Sequence, residues 1–146
     1  MAFSFQRRSN FAFAAPMKII TAALILFAAS VPANAQDPAI QQLIQKRGDI
    51  LSRIHELTQE RYTAGSTPKE DVMVAALNLF IFRRDHSKEV SGRVQWQERI
   101  LALQRERLAF FEEKQKAGDV IATDVLRVAE QTLEAEQKLL ELKAGI

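Results

Sequence analysis

The sequence predicts an all-α protein. Its helices should run up-down-up-down as antiparallel hairpins in a coiled-coil-like bundle, built from a duplicated helix–turn–helix unit after an N-terminal signal peptide. Three observations predict this. Apolar residues recur at steps of three and four along nearly all of the chain after residue 37. Ala64-Gly65, five residues, then Asp71-Val72-Met73 returns as Ala117-Gly118, five residues, then Asp124-Val125-Leu126, an offset of 53 residues at both anchors. No stretch of the same region carries a strand signal.

The N-terminus reads as an address. Arg7, Arg8 and Lys18 precede the apolar run Ile19 to Ser30, and Ala33-Asn34-Ala35 is a small-x-small cleavage site, the layout of a secretory signal peptide over residues 1–35. The run is shorter than the ~20 apolar residues needed to span a bilayer. An uncleaved anchor helix is the alternative. Met17-Lys18 begins a compact signal by itself, which makes Met17 an alternative start. Cleavage after Ala35 removes three basic and no acidic residues, which leaves 17 Lys/Arg against 18 Asp/Glu and a formal charge of −1 in the 111 residues that follow. The basic pI therefore belongs to the leader and gives no argument for nucleic acid. The chain has no cysteine, hence no disulfide, lipoprotein anchor or thiol chemistry. Such a small exported domain, residues 36–146, must rely on helix packing or on oligomerisation.

Helices are expected over about 38–63, 68–88, 93–116 and 122–143. Asp37 and Pro38 start the first, as cap and first-turn proline. Its apolar face carries Ile40, Leu43, Ile44, Ile50, Leu51, Ile54 and Leu57, and Gly48 weakens it by roughly 1 kcal/mol relative to alanine. The second, Val72 to Phe82, is apolar around most of its circumference. One central core uses only a stripe of each helix, so this stretch implies a face for a partner, carrying some of Leu77, Phe80 and Ile81, with Leu77 or Ile81 outermost. Polar residues from Arg83 to Gly92 suggest a turn near 87–92; a single helix over 68–116 is the alternative. The third presents Val94, Gln97, Ile100, Leu101, Gln104, Leu108, Phe111 and Gln115 at heptad-like intervals, with Trp96, Leu103 and Phe110 widening the face. The fourth is expected to bury Val125, Leu126, Ala129, Leu133, Leu139 and Leu140.

The two repeated segments are the tips. Gly65 and Gly118 suit the left-handed conformation that closes a helix. Thr67-Pro68-x-Glu70 offers an N-cap, a proline at the first helical position and a capping-box acid. In the second copy Asp119 or Thr123 can cap. Asp124 sits in a first turn, where a carboxylate favours the helix dipole.

These tips carry a resemblance. A basic residue, Ala-Gly, a short variable run, Asp-Val-(Leu/Met) and an alanine-spaced helix resemble the periplasmic hairpin tips of TolC-like outer-membrane efflux proteins. The matching residues are Arg61, Ala64, Gly65, Asp71, Val72 and Ala76, and again Lys114, Ala117, Gly118, Asp124, Val125, Leu126 and Ala129. The resemblance spans roughly residues 60–143, and nothing in the chain resembles that family's barrel strands. It implies helical hairpins whose tips meet a periplasmic adaptor. By position the contact residues would be Gly65, Thr67, Asp71, Gly118, Val120 and Asp124; their other reading is that they only build the turns.

Chemistry-bearing constellations are few. His55 with Glu56 and Glu60, or His86 with Asp85 and Glu89, lack the second His or Cys of a metal site. No nucleophile sits in a recognisable turn and no glycine-rich loop suits a phosphate. The expectation is a non-enzymatic exported protein, periplasmic or at the outer membrane, without cofactor or nucleic acid. It would pair with itself as an oligomer or with another helical protein of the efflux machinery or envelope, and would have no lipid-spanning segment after cleavage. The alternative is a small periplasmic helical chaperone or an envelope-stress or metal-stress binder, for which 72–82 is the candidate cradle. Mass spectrometry of the exported protein is expected to find Gln36 at the N-terminus, in part cyclised to pyroglutamate; retention of Met1 or Met17 in a membrane fraction would show an anchor instead.

Overall fold

The computed structural model describes residues 37–145. The expected leader, its cleavage site and the start at Met17 lie outside the described residues. Four helices make up the described part: α1 (Pro38–Thr63), α2 (Lys69–Asp85), α3 (Val90–Ala117) and α4 (Ala122–Ala144), with no strand among the described residues. The all-α class is thus shown.

Local chemistry accounts for the ends. The Asp37 carboxylate accepts from the Ala39 N–H at 2.9 Å, and Pro38 fills the first turn where no N–H is needed. Gly65 and Gly118 take φ of +74° and +85°. The Gly65 N–H donates to the Tyr62 carbonyl at 2.8 Å and the Ser66 N–H to Arg61 at 2.9 Å; 53 residues on, Gly118 donates to Gln115 at 3.0 Å and Asp119 to Lys114 at 2.9 Å. This pair of bonds is the Schellman closure, which gives the orphan carbonyls of a helix end their partners.

The starts of α2 and α4 correct the expected caps. Pro68 is extended, with ψ 156°, so α2 begins one residue later and Thr67 falls outside the capping position. Its hydroxyl donates to the Asp71 carboxylate at 2.8 Å instead. Glu70 turns to Arg107 of α3, at 3.6 Å, and closes no capping box. In α4 the N-cap is Ile121, so neither Asp119 nor Thr123 caps. Both starts share one backbone bond, from Asp71 N–H to Pro68 and from Asp124 N–H to Ile121, again 53 residues apart.

The helices form an open row. α1 packs on α2, α2 on α3 and α3 on α4; no Cα of α1 comes within 8 Å of α3 or α4, and none of α2 within 8 Å of α4. Neighbours run in opposite residue order. Gln41 and Ile44 near the start of α1 line a hollow with Asp85 and His86, whereas Ile54, Thr58 and Arg61 line one with Glu70, Asp71 and Val74. Lys69 pairs with Glu106 at 2.8 Å while the Phe80 and Trp96 rings lie 5.6 Å apart. Lys143 pairs with Glu98 at 2.8 Å, and Arg107 donates to Gln131 at 2.8 Å. The expected single central core gives way to one centred on α3, where Leu77, Ile100, Leu101 and Ala135 pack with Phe80, Leu103 and Leu139. α1 contributes no buried residue.

Helix α1 sits close to α2 because Gly48 has no side chain. The Phe82 ring occupies the place a Cβ would take, 3.0 Å away, and the Arg47 guanidinium lies over the same ring at 5.3 Å. The mid-helix glycine lowers helix propensity but permits the approach.

At Gly118 an added side chain would meet nothing within 4 Å, so its cost is backbone strain alone. Gly118→Val is expected to lose about 1–2 kcal/mol and to lower the thermal midpoint while helical content stays nearly constant. Gly118→Asn, better suited to the left-handed region, is expected to lose less. Equal midpoints by calorimetry for wild type and the valine variant would contradict this.

Candidate functional site

The repeated turns place the tips. Lys69, at the start of α2, reaches Glu106 and the Phe110 ring in the C-terminal half of α3, so segments 64–68 and 118–121 lie toward the same end of the row. Gly65, Thr67, Asp71, Gly118, Val120 and Asp124 are all in or beside these turns. Each has a local structural task or open surface. Thr67 and Asp71 bond each other, Asp124 accepts from Arg127 at 3.1 Å, and Ile121 is an exposed apolar residue between Val120 and α4. The Phe110 ring lies below the tip between two ammonium groups, Lys69 at 5.9 Å and Lys114 at 5.1 Å. The hydrogen bond from Lys69 to the Glu106 carboxylate holds the Lys69 pKa above its ordinary value, against a smaller effect of burial. Both partners are solvent-exposed, so this pair orients more than it stabilises.

The expected partner face of α2 is corrected in part. Leu77 is only 6% exposed and belongs to the core, and Met73, Ala75, Ala76, Leu79 and Phe82 are also buried. Phe80 is half-buried against Trp96, and Ile81 alone of the three expected residues opens to solvent. The apolar circumference of α2 is explained by its place in the row, with a helix on each side. The stretch 72–82 therefore offers little of a cradle.

The structure brings together a polar node that residue types did not announce. Gln97 is 1% exposed. Its Oε1 accepts from Arg84 Nη1 of α2 at 2.8 Å, and its Nε2 donates to the Ala135 carbonyl of α4 at 2.8 Å. Nearby, the Thr132 hydroxyl donates to the Val128 carbonyl at 2.8 Å, and the Gln104 side-chain oxygen is buried without a partner. Gln97, Ile100 and Gln104 floor an open groove of ≈ 430 Å³ over α3, with Ile81 and Arg84 on one wall and Gln131, Glu134 and Lys138 on the other. On its rim the Gln137 amide, then Lys138, hydrogen-bond to Glu141 and hold its carboxyl below the usual range. The sequence signal for this node was polar residues, Gln97 and Gln104, at positions where the period of α3 demands apolar ones.

The histidines are apart. His86 ends α2, bonded through Nδ1 to the Phe82 carbonyl at 2.8 Å and stacked on the Phe82 ring, and His55 lies half-buried on α1. Among the described residues no group of three or more His, Cys, Asp or Glu is placed to hold a metal ion. No described helix is long and apolar enough to cross a membrane.

The largest open features are apolar. The expected burial of Leu126, Leu133 and Leu140 is overturned: these leucines of α4 are 69%, 68% and 63% exposed. On α1, Ile40, Leu43, Ile50, Ile54 and Leu57 are likewise exposed. The reason is the open row, because α1 and α4 each have a neighbour on one side only. No family model, curated protein or solved structure matches the chain.

Replacing Gln97 by the near-isosteric Met removes both bonds of the node and leaves the Arg84 Nη1 donor without its buried acceptor. Denaturant unfolding is expected to report a loss of about 1–3 kcal/mol. Unchanged stability would show that the node contributes no net energy.

Proposed function

We propose that the protein is an exported, non-enzymatic interaction module of helical hairpins, similar to the periplasmic hairpins of TolC-like efflux proteins, which works by assembling with helical components of the cell envelope. The observation that carries this reading is the repetition of the tip. Closing bonds, helix starts and left-handed glycines recur at an interval of 53 residues. The cross-helix contacts repeat too, since the Arg83–Ser52 and Arg105–Glu136 pairs occupy equivalent positions. A duplicated hairpin with both tips at one end offers a paired docking surface. The groups gathered in the described residues are structural bonds within and between helices, and they support a binding role over a chemical one. The signal-like leader supplies the route to the envelope.

The test is crosslinking in the native host. A photoreactive amino acid at Val120 or Thr67 is expected to capture an envelope protein, whereas one at Lys88, in the opposite turn, should not. Recovery of the chain from the cytosol with its N-terminus uncut, or equal capture from both ends, would overturn the reading.

A further inference from the structure

Two faces that are covered inside the chain stand open at its edges. Leu43, Ile50 and Leu57 of α1 are spaced by seven and lie 53 residues before Trp96, Leu103 and Phe110 of α3. On α3 these positions are closed by α2: Phe80 meets Trp96 at 5.6 Å, Leu103 joins the cluster of Leu77, and Lys69 lies over Phe110. Conversely Leu126, Ala129 and Leu133 of α4 lie 53 residues after Met73, Ala76 and Phe80 of α2. Met73 and Ala76 are buried, and Phe80 packs on α3. The covered positions of α2 and α3 thus have uncovered equivalents on α4 and α1, where Leu133, Leu126, Leu43 and Ile50 are at least 60% exposed.

We infer that α4 of one copy docks on α1 of the next, repeating between chains the contact that α2 makes with α3 within one. This names the first partner of the assembling module proposed above. The internal contact also sets the register. Leu133 would lie on Leu43 as Phe80 lies on Trp96, and Ala122 beside Leu57 as Lys69 lies by Phe110. Glu130 would face Arg47 where Leu77 and Ile100 share the internal core, so one apolar pair is exchanged for opposite charges. The whole helices are opposite in net charge. α4 holds five acidic and three basic residues, α1 three acidic and four basic. Because the two faces differ, the contact is head-to-tail, and repetition gives a ring or a filament.

The full chain is purified as the host delivers it, its N-terminus read by mass spectrometry, and sedimented over a range of concentrations. The wild type is expected to form species larger than a dimer. Ile50→Glu and Leu133→Glu change exposed residues, so each should keep its helical content, yet each should weaken association at least about tenfold and sediment as a monomer at moderate concentration. Mixing the two is expected to give a one-to-one dimer, because each variant retains the face the other has lost. The absence of native cysteine permits a register check. Leu43→Cys mixed with Leu133→Cys should form an intermolecular disulfide that neither forms alone. A monomeric wild type, a mixture of blocked variants that stays monomeric, or self-crosslinking of either cysteine variant alone would overturn the head-to-tail contact. None of these results bears on export or on an envelope partner, which the photocrosslinking decides separately.

Discussion

The buried side-chain amide of Gln97 ties α3 to both of its neighbours, α2 and α4. A buried primary amide needs both an acceptor and a donor, and an unmade bond there costs more than a made one gains. Gln97 finds its donor in Arg84 on one side of α3 and its acceptor in the Ala135 carbonyl on the other. Making both bonds restricts the rotation and height of α3 against its neighbours. The apolar groups around it, Leu77, Ile100, Leu101 and Ala135, supply the non-directional attraction. The polar node supplies the register, and with α3 fixed the positions of both tips follow.

Covering α3 from both sides has a consequence at the edges. A row of helices joined in sequence has two outer faces, whereas a closed bundle has none. α1 touches α2 through Gly48 and its neighbours and leaves its seven-spaced Leu43, Ile50 and Leu57 in solvent. α4 uses Val128, Thr132 and Ala135 against α3 and leaves Leu126, Leu133 and Leu140 outside. Both helices are amphipathic twice over, with a contact face and an apolar seam set aside from it. Seams spaced at heptad intervals suit another helix better than a small ligand.

How much of this was legible in the residues differs from element to element. The left-handed closures at Gly65 and Gly118 were, because a helix end is decided by local backbone chemistry. The caps were not, because Thr67 could bond either the backbone ahead or Asp71, and only the extended conformation of Pro68 decides between them. The period of α1 and α4 announced apolar faces correctly but could not say what stands opposite them, so exposed Leu126 and Leu133 were expected inside. Leu77 failed for the reverse reason. An all-round apolar helix reads as surplus until its two neighbours are known. Gly48 and Gln97 read as local defects in their helices, a breaker and a polar intruder, and both act at contacts that only the assembled row reveals.

The claim of an open row can be tested by native-state hydrogen exchange in the Leu133→Glu variant, whose α4 face is blocked. Helix α3, covered on both sides, should exchange most slowly. Helix α1, which has no buried residue, should exchange at least about 100-fold faster through local opening that leaves α2 to α4 intact. Equal protection of α1 and α3 would mean that α1 is packed on more than one side, and the open row would be wrong.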